Sequence, residues 1–150
     1  MTSVSESIFI EASPEKVKQV FYDFKDHKNW NPFFLQFEVP NNPVKVGDEL
    51  KVVIHPHDKT MTITPKVTEV KDNELVWKGT FMTSMVFYGT HRFQFLEHEQ
   101  DGKKGTLFIN SEQFGGVLFY PMKMIGVVSG AIQGFKDMNK AFKEKVESDN

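Results

Sequence analysis

The spacing of apolar residues changes once along this sequence, and that change constrains the fold more than any other feature. Between Phe33 and Phe114 apolar and polar residues alternate in short runs, whereas beyond Gly115-Gly116 apolar residues recur at helical spacing. A period of two is typical of strands with one apolar face, and a period near 3.6 is typical of an amphipathic helix. The sequence therefore predicts an antiparallel sheet followed by one long helix.

The alternation also predicts which strand residues face the interior. Turn sequences at Gly47-Asp48, Lys71-Asp72-Asn73 and Gln100-Asp101-Gly102 divide the region into roughly six or seven strands. A register shifted by one residue would bury Lys51, Thr62 and Lys78 instead of apolar side chains. The expected inward set is Leu50, Val52, Ile54, Met61, Ile63, Leu75, Trp77, Phe93 and Phe95.

Shorter elements precede the sheet. Ser3 to Ile10 reads as a first strand, and Ser13 followed by Pro14 is typical of a helix start. A short helix or turn is expected before Pro32, with Asp23, Asp26 and His27 as polar helix-end residues.

The long helix carries one apolar stripe, which predicts how the sheet is covered. A one-sided sheet and an amphipathic helix bury their apolar faces best when the sheet wraps the helix. Residues 1–150 are therefore expected to form a single α+β domain, a curved antiparallel sheet wrapped around the long C-terminal helix, and this length suits one core. The stripe consists of Leu118, Met122, Ile125, Val128, Ile132, Phe135, Met138, Phe142 and Val146.

Charge and composition exclude several function classes. A net charge of −2 lacks the positive field of a nucleic-acid binder, and the absence of cysteine excludes disulfides and thiolate chemistry. Pro121, Lys123 and Gln133 interrupt the apolar stretch of the long helix, which argues against integral membrane association. The N-terminus does not resemble a signal peptide. A cytoplasmic protein is expected, as a monomer or weak homodimer and without a cofactor.

The sequence contains 15 Phe and 7 Met residues, which must either pack together or line a pocket. Apolar walls with a few convergent polar groups are typical of small-molecule sites. A dry core is the alternative use of the same side chains. The candidate pocket aromatics are Trp30, Trp77, Phe81, Phe87, Phe93, Phe95 and Phe108.

Several segments resemble a known family. Five segments of the sequence are Ile10–Val17, Val20–Phe24, Trp30–Phe33, Gly89–Phe95 and Glu112–Leu118. Together they resemble the START-like SRPBCC superfamily, especially its polyketide cyclase/dehydrase-like branch. The resemblance spans nearly the whole chain. It implies a helix-grip fold with a cavity between the sheet and the last helix, and a function as a carrier of lipids or other small hydrophobic molecules, a cyclase, or a co-chaperone-like module. The last is less favoured, because the sequence shows no large exposed apolar patch.

His91 and Glu112 form the polar pair of greatest interest. If the hairpin turning at Asp101-Gly102 pairs them, an imidazole faces a carboxyl group across the strands. The pair could anchor a ligand, satisfy each other structurally, or act as acid and base together with Tyr88 or Tyr120. Anchoring in a non-catalytic binding protein is the leading interpretation, and a polyketide cyclase-like enzyme is the alternative.

Two further features remain open. Gly126, Gly130 and Gly134 recur along one face of the long helix, and together with Met122 they either leave room for a ligand or mark close packing or a kink. His55-Pro56-His57-Asp58 contains possible metal ligands, but it is explained as a turn between strands.

Overall fold

The computed structural model describes residues 2–56, 59–81, 87–117 and 126–149. The elements follow the predicted order of strand, short helices, strands and long helix. They are β1 (Thr2–Ile10), α1 (Pro14–Tyr22), a 3₁₀ helix (Phe24–Asn29), β2 (Phe34–Glu38), β3 (Lys51–Ile54), β4 (Met61–Ile63), β5 (Lys66–Lys71), β6 (Glu74–Phe81), β7 (Phe87–Gln100), β8 (Lys103–Gly115) and α2 (Val127–Ser148).

The strands form two antiparallel sheets. One sheet has the order β1-β8-β7-β6-β5 and the other β2-β3-β4, and a bridge between Glu49 and Lys66 joins them. Among the described residues, seven strands (β2–β8) lie in the region predicted to contain six or seven, and β1 is the first strand predicted before it. Register shifts occur in β2 between Phe34 and Gln36 and at β5 between Val67 and Glu69.

Local sequence signals place the first helix as predicted. The Ser13 hydroxyl accepts a hydrogen bond from the backbone N–H of Lys16 at 3.2 Å, and Pro14 occupies the first helical position. These contacts satisfy an end of the helix whose N–H groups have no partner within it. The apolar face of α1, with Val17, Val20 and Phe21, is buried.

The predicted sheet register is confirmed with one exception. Leu50, Val52, Leu75, Trp77, Phe93 and Phe95 are buried, while Ile54 and Ile63 are half-buried. Lys51 and Thr62 are exposed and Lys78 is half-buried. Met61 was wrongly assigned to the interior, since its side chain is 50% exposed at the start of the edge strand β4.

Helix α2 closes the concave side of the larger sheet. Its residues Phe135, Met138, Phe142 and Val146 are fully buried, as the apolar stripe predicts. The C-terminal part of α2 is tied to the end of β1, because Lys143 donates to the backbone oxygen of Phe9 at 2.7 Å. The stripe residues Leu118, Met122 and Ile125 lie outside the described residues.

The 3₁₀ helix corrects one expectation. His27 is fully buried, although the sequence reading made it a polar residue at a helix end. Its Nε2 lies 2.6 Å from the backbone oxygen of Phe21, and its Nδ1 lies 3.1 Å from the side-chain nitrogen of Asn31. With both ring nitrogens paired inside the protein, His27 joins the two N-terminal helices.

Candidate functional site

The β7–β8 hairpin brings His91 and Glu112 together as predicted. The two residues are direct cross-strand partners, and Nδ1 of His91 lies 3.8 Å from Oε1 of Glu112. The His91 side chain is 3% exposed and that of Glu112 19%. Glu112 thus lies at the border between the aromatic interior and more accessible space.

Aromatic rings surround His91 and determine its charge state. The imidazole stacks on Phe93 with ring centres 4.2 Å apart, and Phe135 of α2 lies 4.8 Å away. Burial among these rings lowers the pKa of His91 to about 3. The imidazole is therefore neutral at physiological pH, because its charged form would lose its hydration without an equivalent replacement.

The carboxyl group of Glu112 is neutral for the same physical reason. Burial raises the pKa of Glu112 to about 8. Within the described residues, no protein group donates a hydrogen bond to this carboxyl group. Glu112 is therefore mostly protonated at neutral pH and can itself donate a hydrogen bond.

Two asparagines connect His91 to the long helix. Nε2 of His91 lies 2.5 Å from Oδ1 of Asn110, and the side-chain nitrogen of Asn110 lies 3.3 Å from Oδ1 of Asn139. The side-chain nitrogen of Asn139 in turn donates to the backbone oxygen of Glu6 at 3.0 Å. We call these three side chains, His91, Asn110 and Asn139, the polar relay.

The sequence reading did not select Asn110 and Asn139, although a signal was present. Asn110 falls on the inward positions of β8, between Phe108 and Glu112, and Asn139 interrupts the apolar stripe of α2 four residues after Phe135. Both side chains are buried, at 0% and 3% exposure. A polar residue in phase with a buried face is expected to have a specific partner there.

The predicted pocket aromatics divide into two groups. Trp77 and Phe93 lie beside His91, with the Trp77 ring centre 5.5 Å from the imidazole. Phe95 and Phe108 pack with Phe21 toward the other end of the core. Trp30 also lies there, stacked on Phe142 at 5.2 Å. The side chains of Phe81 and Phe87 lie outside the described part.

Other sequence candidates are placed away from the pair. Tyr88 was wrongly considered as a partner of His91: it lies on the opposite face of β7, where the Lys78 ammonium group is 4.6 Å from its ring centre. Tyr120 and Met122 are outside the described residues.

The helix glycines do not share one role. Gly126 precedes α2 as its N-cap with φ of 91°, so it is not in the helix interior. A β-carbon at Gly134 would overlap the ring of Phe33, so that glycine permits close packing by the chain itself. Gly130 is buried within α2.

The described residues contain no group of three or more His, Asp or Glu side chains suited to hold a metal ion. His55 lies 3.3 Å from the hydroxyl oxygen of Thr60, whereas His57 and Asp58 fall outside the described residues. In the same part of the chain, no helix combines the length and apolarity needed to cross a membrane.

Solved structures share this fold at low sequence identity. A START superfamily protein from Mycobacterium smegmatis superposes with a TM-score of 0.74 at 17% identity, covering 99% of both chains. The Zhui aromatase/cyclase from Streptomyces sp. R1128 gives 0.73 at 10% identity, covering 97% of this chain and 93% of the other. A norcoclaurine synthase from Thalictrum flavum gives 0.68 at 14%, covering 98% and 94%.

These structural likenesses establish the helix-grip fold, whereas the sequence itself identifies the family. No curated protein matches the sequence. Residues 1–147, nearly the whole chain, match the family described as polyketide cyclase / dehydrase and lipid transport. The chain belongs to the polyketide cyclase / dehydrase and lipid transport family.

Proposed function

We propose that this protein binds a small, uncharged and mostly apolar molecule, and that the polar group of this ligand is anchored between His91 and Glu112. The observation that carries the proposal is the neutral His91–Glu112 pair on the concave face of the sheet, among buried aromatic rings. Buried polar groups normally have hydrogen-bond partners, and leaving one unpaired costs about 1–3 kcal/mol. A ligand hydroxyl or carbonyl group would supply the partner for Glu112.

The charge state of the site favours an uncharged ligand. A carboxylate or phosphate ligand would need a cation to offset its desolvation, and both His91 and Glu112 are neutral near pH 7. The family description, which includes lipid transport, supports the same class of ligand.

Competition binding tests this proposal directly. The neutral fluorescent probe 1-aminoanthracene is bound first and is then displaced by 2-naphthol or by naphthalene, which lacks the hydroxyl group. We expect naphthol to bind at least tenfold more tightly, because each hydrogen bond that its hydroxyl group makes in the site contributes about 1.4 kcal/mol. Glu112→Leu should lower this preference, whereas Glu112→Gln, which retains a donor, should keep most of it. Absence of saturable probe binding, or an unchanged preference in Glu112→Leu, would refute the proposal.

A cyclase-like activity is the second candidate, because a protonated carboxyl group lies beside a neutral imidazole. In an enolisation, the first half of an aldol cyclisation, His91 would remove a proton from the carbon next to a ketone while Glu112 protonates the ketone oxygen. Exchange of that proton for deuterium in 1-tetralone, followed by NMR in D₂O, measures this step. Glu112→Gln should retain binding and lose exchange. No exchange above the buffer rate in the unaltered protein would argue against enzymatic activity toward such ketones.

A further inference from the structure

The hydrogen bonds of the polar relay have a direction that is set at one end. The backbone oxygen of Glu6 can only accept, so the Asn139 atom 3.0 Å from it must be the amide nitrogen. The oxygen of Asn139 then points to Asn110, which must present its own amide nitrogen at 3.3 Å. The same nitrogen of Asn110 lies 3.4 Å from the sulfur of Met138, a weak acceptor that supports this orientation.

The orientation of Asn110 determines which nitrogen of the His91 imidazole carries the hydrogen. With its nitrogen engaged by α2, Asn110 turns its oxygen toward Nε2 of His91, and that ring nitrogen must therefore carry the hydrogen. In a neutral imidazole the other nitrogen is then an acceptor. This acceptor, Nδ1, is the atom that lies 3.8 Å from the Glu112 carboxyl group.

We propose that Asn139 and Asn110 are positioning residues that hold His91 as the Nε2–H tautomer, and that Nδ1 of His91 and the carboxyl group of Glu112 thereby select a ligand hydroxyl group. This inference rests on the proposed binding function and specifies its ligand as an alcohol, phenol or enol. The hydroxyl group donates to Nδ1 and accepts from the protonated carboxyl group. One oxygen about 2.7–2.8 Å from each atom fits a separation of 3.8 Å.

The same arrangement discriminates against close analogues. An ether oxygen can accept from Glu112 but has no hydrogen for Nδ1, so one of the two hydrogen bonds is lost. In the opposite tautomer Nδ1 would be a donor, and both groups of the site would then offer hydrogens. The selectivity for hydroxyl over ether therefore reports on the tautomer, and through it on the two asparagines.

NMR of the protein labelled with ¹⁵N-histidine tests the tautomer without any mutation. Protonated and unprotonated ring nitrogens differ widely in ¹⁵N chemical shift, and His91→Gln assigns its signals among the five histidines. We expect one protonated and one unprotonated nitrogen in His91, with the hydrogen on Nε2. A hydrogen on Nδ1, or a doubly protonated ring at pH 7, would overturn the inference.

Variants of the relay test the positioning role, and His27 provides an internal control. Asn110→Leu removes the acceptor for Nε2, and Asn139→Leu removes the acceptor that orients Asn110. Both should convert the His91 signals to a mixture of tautomers, while His27, held by Phe21 and Asn31, keeps its pattern in a folded protein. If His91 keeps a single Nε2–H form in both folded variants, the asparagines do not position it.

Ligand selectivity separates failure of this inference from failure of the proposed function. In the unaltered protein 2-naphthol should displace 1-aminoanthracene about tenfold better than 2-methoxynaphthalene, a ratio that corresponds to about 1.4 kcal/mol. In Asn110→Leu the ratio should fall to about twofold or less. If none of the naphthalene compounds binds to the unaltered protein, the binding function itself is refuted. Equal binding of naphthol and its methyl ether, both saturable, would refute only the hydroxyl selection.

Discussion

The carboxyl group of Glu112 occupies the space that a side chain on Gly89 would need. A β-carbon built on Gly89 would lie 3.2 Å from Cδ of Glu112 and would overlap its Oε2 atom. Both residues are on the concave face, since Gly89 precedes His91 by two positions in β7. The missing side chain at position 89 therefore allows the carboxyl group to lie against the sheet beside His91.

Gly89→Ala should displace Glu112 while the fold is retained. The overlapping atoms are at the end of a flexible side chain, so we expect a loss in unfolding free energy below about 1 kcal/mol. The preference for 2-naphthol over naphthalene should decrease at the same time. Competition binding and urea denaturation on the same sample measure the two effects.

Gly79→Ala is the matched control. Gly79 is the cross-strand partner of Gly89, and a β-carbon there meets no heavy atom of the described residues within 4 Å. This variant should keep the naphthol preference. If both alanine variants lose it equally, the effect comes from the strand backbone and not from Glu112.

Phe135→Ala should destabilise the protein by about 3–5 kcal/mol, the usual cost of removing a fully buried phenylalanine. Phe135 is 0% exposed and its ring lies between Phe33 and His91. Urea denaturation measures the change, with Met61→Ala as a control at a side chain that is 50% exposed. A loss below about 1 kcal/mol for Phe135→Ala would show that the helix does not rely on this contact.

Much of the fold follows from local signals in the sequence. Ser13 and Pro14 determine the start of α1, and the turn at Asp101-Gly102 places His91 opposite Glu112 because cross-strand register follows directly from the position of the turn. Alternation identifies the buried residues of the central strands. It fails at Met61, because a period of two does not tell whether an edge strand is covered.

The composition of the site depends on contacts between distant segments, which periodicity does not reveal. Asn139 approaches Glu6 across 133 positions of the chain, and Asn110 approaches Asn139 across 29. The tight fit of Gly134 against Phe33 likewise depends on how α2 crosses the sheet. Three glycines that recur every four residues therefore could not show whether the helix leaves room for a ligand or packs closely against the protein.

The stability of the protein should be greatest near pH 6.5. Burial lowers the pKa of His27 to about 4 and that of His91 to about 3, from an ordinary 6.5. Below pH 6.5 the unfolded imidazoles take up protons that the folded ones do not, so stability falls by up to about 1.4 kcal/mol per pH unit for each histidine.

Glu112 has the opposite effect on the alkaline side. Its pKa is raised from 4.5 to about 8, so between these values the folded carboxyl group holds a proton that the unfolded one has lost. Stability should therefore fall by about 2 kcal/mol between pH 6.5 and 8. Urea denaturation across pH 5 to 8 measures the loss of stability on both sides of pH 6.5. Glu112→Gln should remove the loss on the alkaline side. A flat profile between pH 6.5 and 8 in the unaltered protein would contradict a neutral Glu112.

The effect of Gly134→Ala on the free energy of unfolding should change sign when Phe33 is replaced by alanine, because α2 contacts the Phe33 ring at this position. In the unaltered protein a methyl group at position 134 overlaps the Phe33 ring, and overpacking of this kind costs about 1–3 kcal/mol. In a Phe33→Ala background the overlap is gone, and alanine should stabilise the helix interior by up to about 1 kcal/mol relative to glycine. Urea denaturation of the two single variants and the double variant yields the coupling energy. Equal costs of Gly134→Ala in both backgrounds would mean that Phe33 does not fill the space beside the helix.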